Sequence, residues 1–303
     1  MTTETQQLKQ LSELFSAVTI RKIADGNLDV IPRFASIYRS INKESFIDIT
    51  LEQLFENSFH LLSKKYRNEY TYKSLLLNKK LIGTHSVNTS SMLSELRVGS
   101  AKADFVMLNG VATCFEIKTE RDSLERLPNQ LAEYSGYFDQ TYVVLSESDV
   151  ERYQLKIPST VGIISLTNRN QFSEIRPSLT ECEGYTSKMA VNLLRANELK
   201  EIVTTFDKLV ETVPNTELVK YCEIVLNEVS KIDLKKLVLS QLKKRGMQNN
   251  NFIAALPRSL RAAGAAYKFS IDQRTKLMIN LGKVLSQAEQ ACITQSFEPN
   301  SSN

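Results

Sequence analysis

Residues 102–118 read Lys-Ala-Asp-Phe-Val-Met-Leu-Asn-Gly-Val-Ala-Thr-Cys-Phe-Glu-Ile-Lys and predict a β-hairpin that carries charged side chains. Two apolar runs flank Asn109 and Gly110, a pair that is strongly favoured in hairpin turns. Because side chains alternate along a strand, Glu116 and Lys118 point to the same face. Ionisable groups beside apolar neighbours need a compensating partner, and a divalent cation held by Asp104 and Glu116 would provide one.

The length of the turn decides whether the two acids share a face. A two-residue loop would pair Asp104 with Phe115 and place it on the face opposite Glu116. A three-residue loop at 108–110, with a left-handed glycine in a bulge, would pair Asp104 with Cys114 instead. We therefore expect the longer loop, in which Asp104 and Glu116 are diagonal neighbours about 7 Å apart at their backbones.

The composition is that of an ordinary soluble protein. The chain has 303 residues, of which 42% are hydrophobic and 24% are charged, enough for one large core or two smaller ones. No apolar run approaches the ~20 residues of a membrane span, and the polar start lacks the pattern of a signal peptide. We expect a cytoplasmic protein without a membrane partner.

The cysteines and histidines argue against several kinds of site. The four cysteines are far apart and form no Cys-x-x-Cys pair, so neither a zinc site nor a disulfide framework is indicated. His60 and His85 have no partner at metal-ligand spacing. Oxygen ligands and hard cations, Mg²⁺ or Mn²⁺, are the remaining expectation.

Periodicity divides the chain into helical and alternating stretches. The first ninety residues show apolar positions at helical spacing, and residues 92–118 change to a period of two. Asp122 is a candidate N-cap for a helix that runs to about Phe138. Strands at 141–145 and 161–166, with a short helix at 148–154, complete the prediction of an α/β fold in which helices flank a mixed sheet.

After residue 185 the strand signal ends. Helical spacing recurs over 189–212, 216–245, 251–263 and 271–293, and 185–303 holds 17 Lys and Arg against 11 Asp and Glu. We predict three regions: a helical N-terminal extension at 1–64, an α/β core at 65–184, and an all-helical basic domain at 185–303.

A family resemblance rests on Glu95, Asp104, the tripeptide Glu116-Ile117-Lys118, and the helix that carries Gln130 and Tyr134. Over about residues 65–167 this pattern resembles the PD-(D/E)XK nuclease superfamily, most closely its small bacterial branch near the MmcB-type DNA repair proteins. One departure is that Ala103, rather than proline, precedes the aspartate.

The resemblance implies a restriction-endonuclease-like core and a role for each matching residue. Asp104 and Glu116 would bind magnesium or manganese, and Lys118 would position and polarise the attacking water. Glu95 would be a further metal ligand, with Glu69 as a rival for that role. Gln130 and Tyr134 resemble the Gln-xxx-Tyr element that lies beside the active site in RecB-like nucleases.

The resemblance leaves more than one functional hypothesis. The first is a metal-dependent nuclease that acts on DNA in repair, mobile-element or phage-defence settings. The alternative is a non-catalytic DNA-binding or adaptor protein whose helical C-terminal region serves a protein partner, and a third reading is a helical interaction module. Two groups of basic residues could contact phosphates or form a solvated surface: Arg97, Lys102, Arg121 and Arg126, and Lys235, Lys236, Lys243, Lys244 and Arg245.

Overall fold

The computed structural model describes residues 3–42, 49–79 and 90–285. They form two compact units: unit 1 combines residues up to 75 with those from 252 onward, and unit 2 comprises 76–251. The helices are α1 (Thr3–Ser12), α2 (Ala17–Ala24), α3 (Ile31–Asn42), α4 (Leu51–Lys65), α5 (Glu69–Leu77), α6 (Leu127–Tyr134), α7 (Val150–Tyr153), α8 (Ser187–Leu193), α9 (Ala196–Val203), α10 (Asn215–Leu226), α11 (Lys231–Met247), α12 (Asn250–Ala255), α13 (Arg261–Ala266) and α14 (Ile271–Leu281).

Unit 2 contains a six-stranded mixed sheet whose spatial order follows the sequence. The first three strands are antiparallel, the middle three are parallel, and the last is antiparallel to its neighbour. All six residues of the third strand are buried, as expected for a strand covered on both faces. The strands are β1 (Ser91–Val98), β2 (Ala101–Leu108), β3 (Ala112–Ile117), β4 (Gln140–Ser146), β5 (Gly162–Leu166) and β6 (Phe172–Arg176).

The predicted α/β class with a mixed, helix-flanked sheet is therefore confirmed. The sequence did not predict β6, because three of its five residues are polar. None of the five is buried, and its one large aliphatic side chain, Ile175, is exposed. An edge strand that buries little has no alternating pattern to detect.

The helical second half of the chain divides between the two units. Helices α6 and α8–α11 pack into one core with the sheet, a cluster that runs from Leu93 to Leu242. Helices α13 and α14 pack instead with α1–α4, in a separate cluster around Phe15, Phe55 and Leu281. The division differs from the predicted regions 1–64, 65–184 and 185–303 because helical periodicity reveals a buried face but not the segment that covers it.

Three helix predictions are corrected, one at its start and two by a break. Helix α6 starts at Leu127 rather than after Asp122, whose carboxylate accepts hydrogen bonds from the amide and hydroxyl of Thr119 at 2.8 and 2.9 Å. The long helix predicted over 216–245 is two helices, because Ser230 caps a new one by accepting from the amide of Asp233. The helix predicted over 189–212 is likewise broken into α8, α9 and a short 3-10 turn.

Some predicted helical ends, at residues 80–81 and 286–293, lie outside the described residues. None of the helices within the described ranges combines the length and apolar character that crossing a membrane requires.

Candidate active site

The β2–β3 hairpin places Asp104 and Glu116 on one face. Its ladder pairs Leu108 with Ala112 and ends at Phe105 with Phe115, which sets Asp104 directly beside Glu116. The shared face was expected, but the register is different. Cys114 pairs with Val106, not with Asp104, and the three-residue loop is 109–111 rather than 108–110. A slip of two positions leaves every side chain on its face, so alternation alone cannot distinguish these registers.

Asp104 stabilises the point where the two strands separate. Its Oδ2 accepts a hydrogen bond from the amide of Ile117 at 2.7 Å, just beyond the last ladder pair. A buried amide without a partner would cost about 1–3 kcal/mol, and this carboxylate removes that cost. Asp104 is thus fixed at the end of β3, next to the predicted catalytic residues.

Glu116 is the centre of a buried hydrogen-bond network. The residue is 1% exposed; its Oε1 accepts from Lys118 Nζ at 2.7 Å and its Oε2 from the Tyr134 hydroxyl at 2.7 Å. Lys118 Nζ also donates to Gln130 Oε1 at 2.9 Å. Four residues from two predicted motifs, the Glu-Ile-Lys tripeptide and the Gln-xxx-Tyr element, are therefore joined in one cluster.

The Tyr134 hydroxyl connects this cluster to β2. It lies 2.7 Å from the carbonyl oxygen of Lys102 as well as from Glu116, so its single proton is shared between two acceptors. Burial, and after it the charge of Glu116, raise the pKa of Tyr134 far above its usual range, so the phenol stays a neutral donor. Burial also raises the pKa of the Cys114 thiol, with further contributions from Glu116 and Asp104.

Glu95 lies across from Asp104 on β1 in an unusual backbone conformation. The pairs on either side, Ser94 with Phe105 and Leu96 with Ala103, keep the register, while Glu95 itself has a φ of +55°. Left-handed backbone at a residue other than glycine costs about 1–3 kcal/mol and is concentrated at functional sites. Carboxylate oxygens of Glu95 and Asp104 lie within 4.8 Å of each other.

The three acids therefore form one row across β1, β2 and β3. No signal in the sequence indicates the strained backbone at Glu95, since glutamate has no preference for that conformation. Glu69, the rival upstream acid, forms an ion pair of 2.5 Å with Lys73 on α5, and the choice between Glu95 and Glu69 stays a prediction.

The chemistry of this row fits a hard divalent cation. Carboxylate oxygens are the ligands that Mg²⁺ and Mn²⁺ prefer, and no nitrogen or sulfur ligand is part of the row. Each oxygen of Glu116 accepts one hydrogen bond and keeps a second lone pair for a cation. The donor set is therefore compatible with the metal that the resemblance implies.

The turn between β1 and β2 is fixed against α6, a contact that the sequence did not indicate. Ser100 Oγ donates to Glu133 Oε1 at 2.6 Å, and Gly99 has a φ of +57°. The left-handed backbone at Gly99 favours glycine, and a Cβ there would lie 2.1 Å from Glu133 Oε2, so the Glu133 side chain would have to shift. The hairpin and the helix that carries Gln130 and Tyr134 are thereby held together.

The basic residues of α11 are mostly engaged in ion pairs within unit 2. Lys235 donates to Asp139 and to the carbonyl of Cys182, and Arg245 forms a two-point pair with Glu198. Lys236 pairs with Asp233 and Lys244 with Glu201. These pairs offset part of the positive charge of α11, and a role of this helix in phosphate contact stays a prediction.

The chain matches a known protein family over more than half of its length. The model of the family "Bacteriophage P4 protein cII" matches residues 62–263, more than half of the chain. The chain belongs to the bacteriophage P4 cII family. The matched residues include all of unit 2 and every member of the cluster around Glu116.

The chain is similar to Protein cII of Enterobacteria phage P4. It is 24% identical over 178 residues, which cover 56% of this chain and 65% of that protein. The cII-family chain therefore spans less than two thirds of the length of this relative. No solved structure matches the chain.

Proposed function

We propose that this cII-family protein is a metal-dependent nuclease that hydrolyses phosphodiester bonds in DNA, with a restriction-endonuclease-like core in unit 2. The observation that carries the proposal is the network in which Glu116, Lys118, Gln130 and Tyr134 meet beside Asp104. The sequence motifs are separated by up to thirty residues, yet the hairpin and α6 bring them to one place. A set of unrelated surface charges would not be expected to converge in this way.

The acids supply the cation site in this proposal. Asp104 and Glu116 would hold Mg²⁺ or Mn²⁺, with Glu95 as the outer ligand on β1. Bound there, the cation would neutralise phosphate charge and make a coordinated water more acidic. The amide of Ile117 fixes one carboxylate and the Tyr134 hydroxyl fixes the other, so both ligands are held in place before a cation binds.

Lys118 is the candidate for orienting the nucleophile. An ammonium group has three N–H donors, and two of them are directed to Glu116 and Gln130. Within the part of the chain that the structure describes, the third has no acceptor, and the side chain is 12% exposed. It is therefore available to a water or a phosphate oxygen at the site, where its charge would stabilise negative charge that develops during hydrolysis.

A cleavage assay tests the proposal. Purified protein is incubated with Mg²⁺ or Mn²⁺ and with supercoiled, linear, single-stranded and branched DNA, and with RNA. We expect metal-dependent cleavage of DNA, and a loss of about 100-fold or more in Lys118→Ala because one preorganised charge at the reacting phosphate is removed. Asp104→Asn and Glu116→Gln are expected to lose activity as well.

Lys188→Ala provides the matched control, because Lys188 is an exposed lysine on α8. It should cleave at the rate of the unmodified protein. Cleavage that persists in Lys118→Ala, or an unmodified protein that leaves every substrate intact with either metal, contradicts the nuclease proposal.

A second function is favoured by one feature of the same site. Glu116 is almost fully buried and both of its oxygens already have partners, as in a site that serves stability. A non-catalytic DNA-binding or adaptor protein would keep such a network without turnover. A protein that binds DNA but leaves every substrate of the cleavage assay intact would favour this alternative.

A further inference from the structure

We infer that Arg97 and Lys102, on the β1–β2 hairpin, form a subsite for the DNA backbone that binds phosphates next to the one being cleaved. This inference rests on the proposed function, since it assigns the surface through which the same site holds its substrate. The two residues are direct cross-strand partners, so their side chains leave the sheet on the same face.

The placement of this basic pair is set by alternation along the hairpin. Leu96, Val98 and Ala103 are buried, while Arg97 and Lys102 are exposed, and the Lys102 side chain is 66% exposed. Lys102 and Asp104 are two positions apart on β2 and therefore share a face, about 6.7 Å apart along the strand. The basic row thus lies directly beside the acidic row of the candidate metal site.

The charges of the pair are weakly compensated. Like charges placed directly opposite each other destabilise a sheet. Lys102 Nζ is 4.0 Å from Glu95 Oε2, at the limit of an ion pair, and Arg97 Nε donates to the carbonyl of Gly99 at 3.3 Å. Among the described residues, no carboxylate forms an ion pair with Arg97. An anion that bridged the pair would remove the repulsion, and a phosphodiester backbone supplies such anions at regular spacing.

The hairpin is also rigid enough to act as a binding platform. Its turn is fixed by Ser100 and Glu133, and the carbonyl of Lys102 accepts from Tyr134. Side chains on a fixed backbone lose less entropy on binding. The lysines and arginine of α11 contrast with this pair, because most of them are paired with carboxylates inside unit 2.

The salt dependence of DNA binding tests this subsite. Affinity for a short duplex is measured by fluorescence anisotropy in EDTA at several salt concentrations, so that binding is observed without cleavage. Replacing both residues, Arg97→Gln with Lys102→Gln, should lower the magnitude of the slope of log K against log salt by about 1.8, because each lost phosphate contact removes about 0.9.

Two control variants distinguish direct contact with phosphates from a general effect of net charge on DNA affinity. Lys236→Gln with Lys244→Gln removes the same charge from exposed, paired lysines of α11 and should leave the slope unchanged. Arg97→Lys with Lys102→Arg keeps both charges and should also keep the slope. Thermal unfolding of each protein checks that the hairpin substitutions leave the fold intact.

The outcomes distinguish the subsite from the nuclease activity. An equal change of slope in the hairpin and α11 variants, or an unmodified protein that does not bind the duplex, overturns the subsite. A slope that changes only in the hairpin variant supports it even if the cleavage assay finds no activity. If the unmodified protein cleaves DNA but the hairpin variant keeps the slope of the unmodified protein, the subsite is wrong and the nuclease proposal is unaffected.

Discussion

At the scale of single residues, two features of Glu95 in the candidate site lower the stability of the folded protein. Glu95 has a left-handed backbone in the middle of a strand, and its carboxylate lies close to that of Asp104. Both features cost free energy in the folded protein, through backbone strain and through repulsion between like charges. A strand that served only to fill the sheet would have no reason to retain either.

Substitutions of Glu95 separate these two costs. Glu95→Gly and Glu95→Gln both remove the charge, but only glycine relieves the left-handed backbone. We expect Glu95→Gly to be about 1 kcal/mol more stable than Glu95→Gln. Relief of the backbone strain stabilises the glycine variant by roughly 1–2 kcal/mol. The greater flexibility of glycine in the unfolded chain offsets part of that gain. Urea unfolding of the two variants gives the comparison. If the glycine variant is the less stable of the two, the backbone at Glu95 is not strained.

The residue types of the site were predictable, but their contacts were not. Alternation and the turn signal placed Asp104, Glu116 and Lys118 on one face of a hairpin, and the structure agrees. The sequence could not show that the amide of Ile117 donates to Asp104, or that Ser100 in the β1–β2 turn donates to Glu133. Both contacts depend on where the strands end and on how α6 packs against them. Such contacts between distant segments leave no local pattern.

At the scale of secondary-structure elements, α11 shows how a basic helix can be structural. Lys235 donates to Asp139, the residue before β4, and Asp139 also accepts from the amide of Ala112 on β3. Both side chains of the ion pair are mostly buried, with 17% and 25% of their surface exposed. The pair therefore joins α11 to two neighbouring strands.

This role predicts different effects for two adjacent lysines. Lys235→Gln should lower the free energy of unfolding by about 1–3 kcal/mol, because it leaves the charge of Asp139 without its cation. Lys236→Gln should change stability by less than about 0.5 kcal/mol, since its pair with Asp233 is exposed. Chemical denaturation measures both changes. Equal stability of the two variants would argue against a structural role for Lys235.

Element predictions were correct where an apolar pattern was strong. The strands β2–β5 and the helical character of the described residues before and after the sheet followed from periodicity. The start of α6 was wrong because Asp122 has the residue type of an N-cap but satisfies Thr119 instead. Strand β6 was missed because it has little apolar surface to bury.

At the scale of the whole molecule, the two units have separate cores. Unit 1 buries α1–α4 against side chains from the other end of the chain, and these are Leu256, Leu260, Ala263, Phe269, Leu277, Leu281 and Leu285. The cluster of unit 2 draws on residues 93–242 alone. Removal of α12–α14 should therefore affect the units unequally.

A truncated protein that ends at residue 251 tests this division by hydrogen exchange. We expect amides of α1–α4 to lose protection, because the apolar side chains that cover them are gone, while amides of β2–β5 stay protected. The full-length chain is the reference. Retained protection in α1–α4 of the truncated protein would contradict the assignment of α13 and α14 to the first core.

The discontinuous construction of unit 1 has a consequence for how the protein is made. A ribosome releases α1–α4 first, but their covering helices leave the exit tunnel only after the complete sheet region has been synthesised. During that interval the early helices carry unshielded apolar surface, the condition that favours aggregation and recruits chaperones. Folding of unit 1 therefore waits until residues 252–285 have been synthesised.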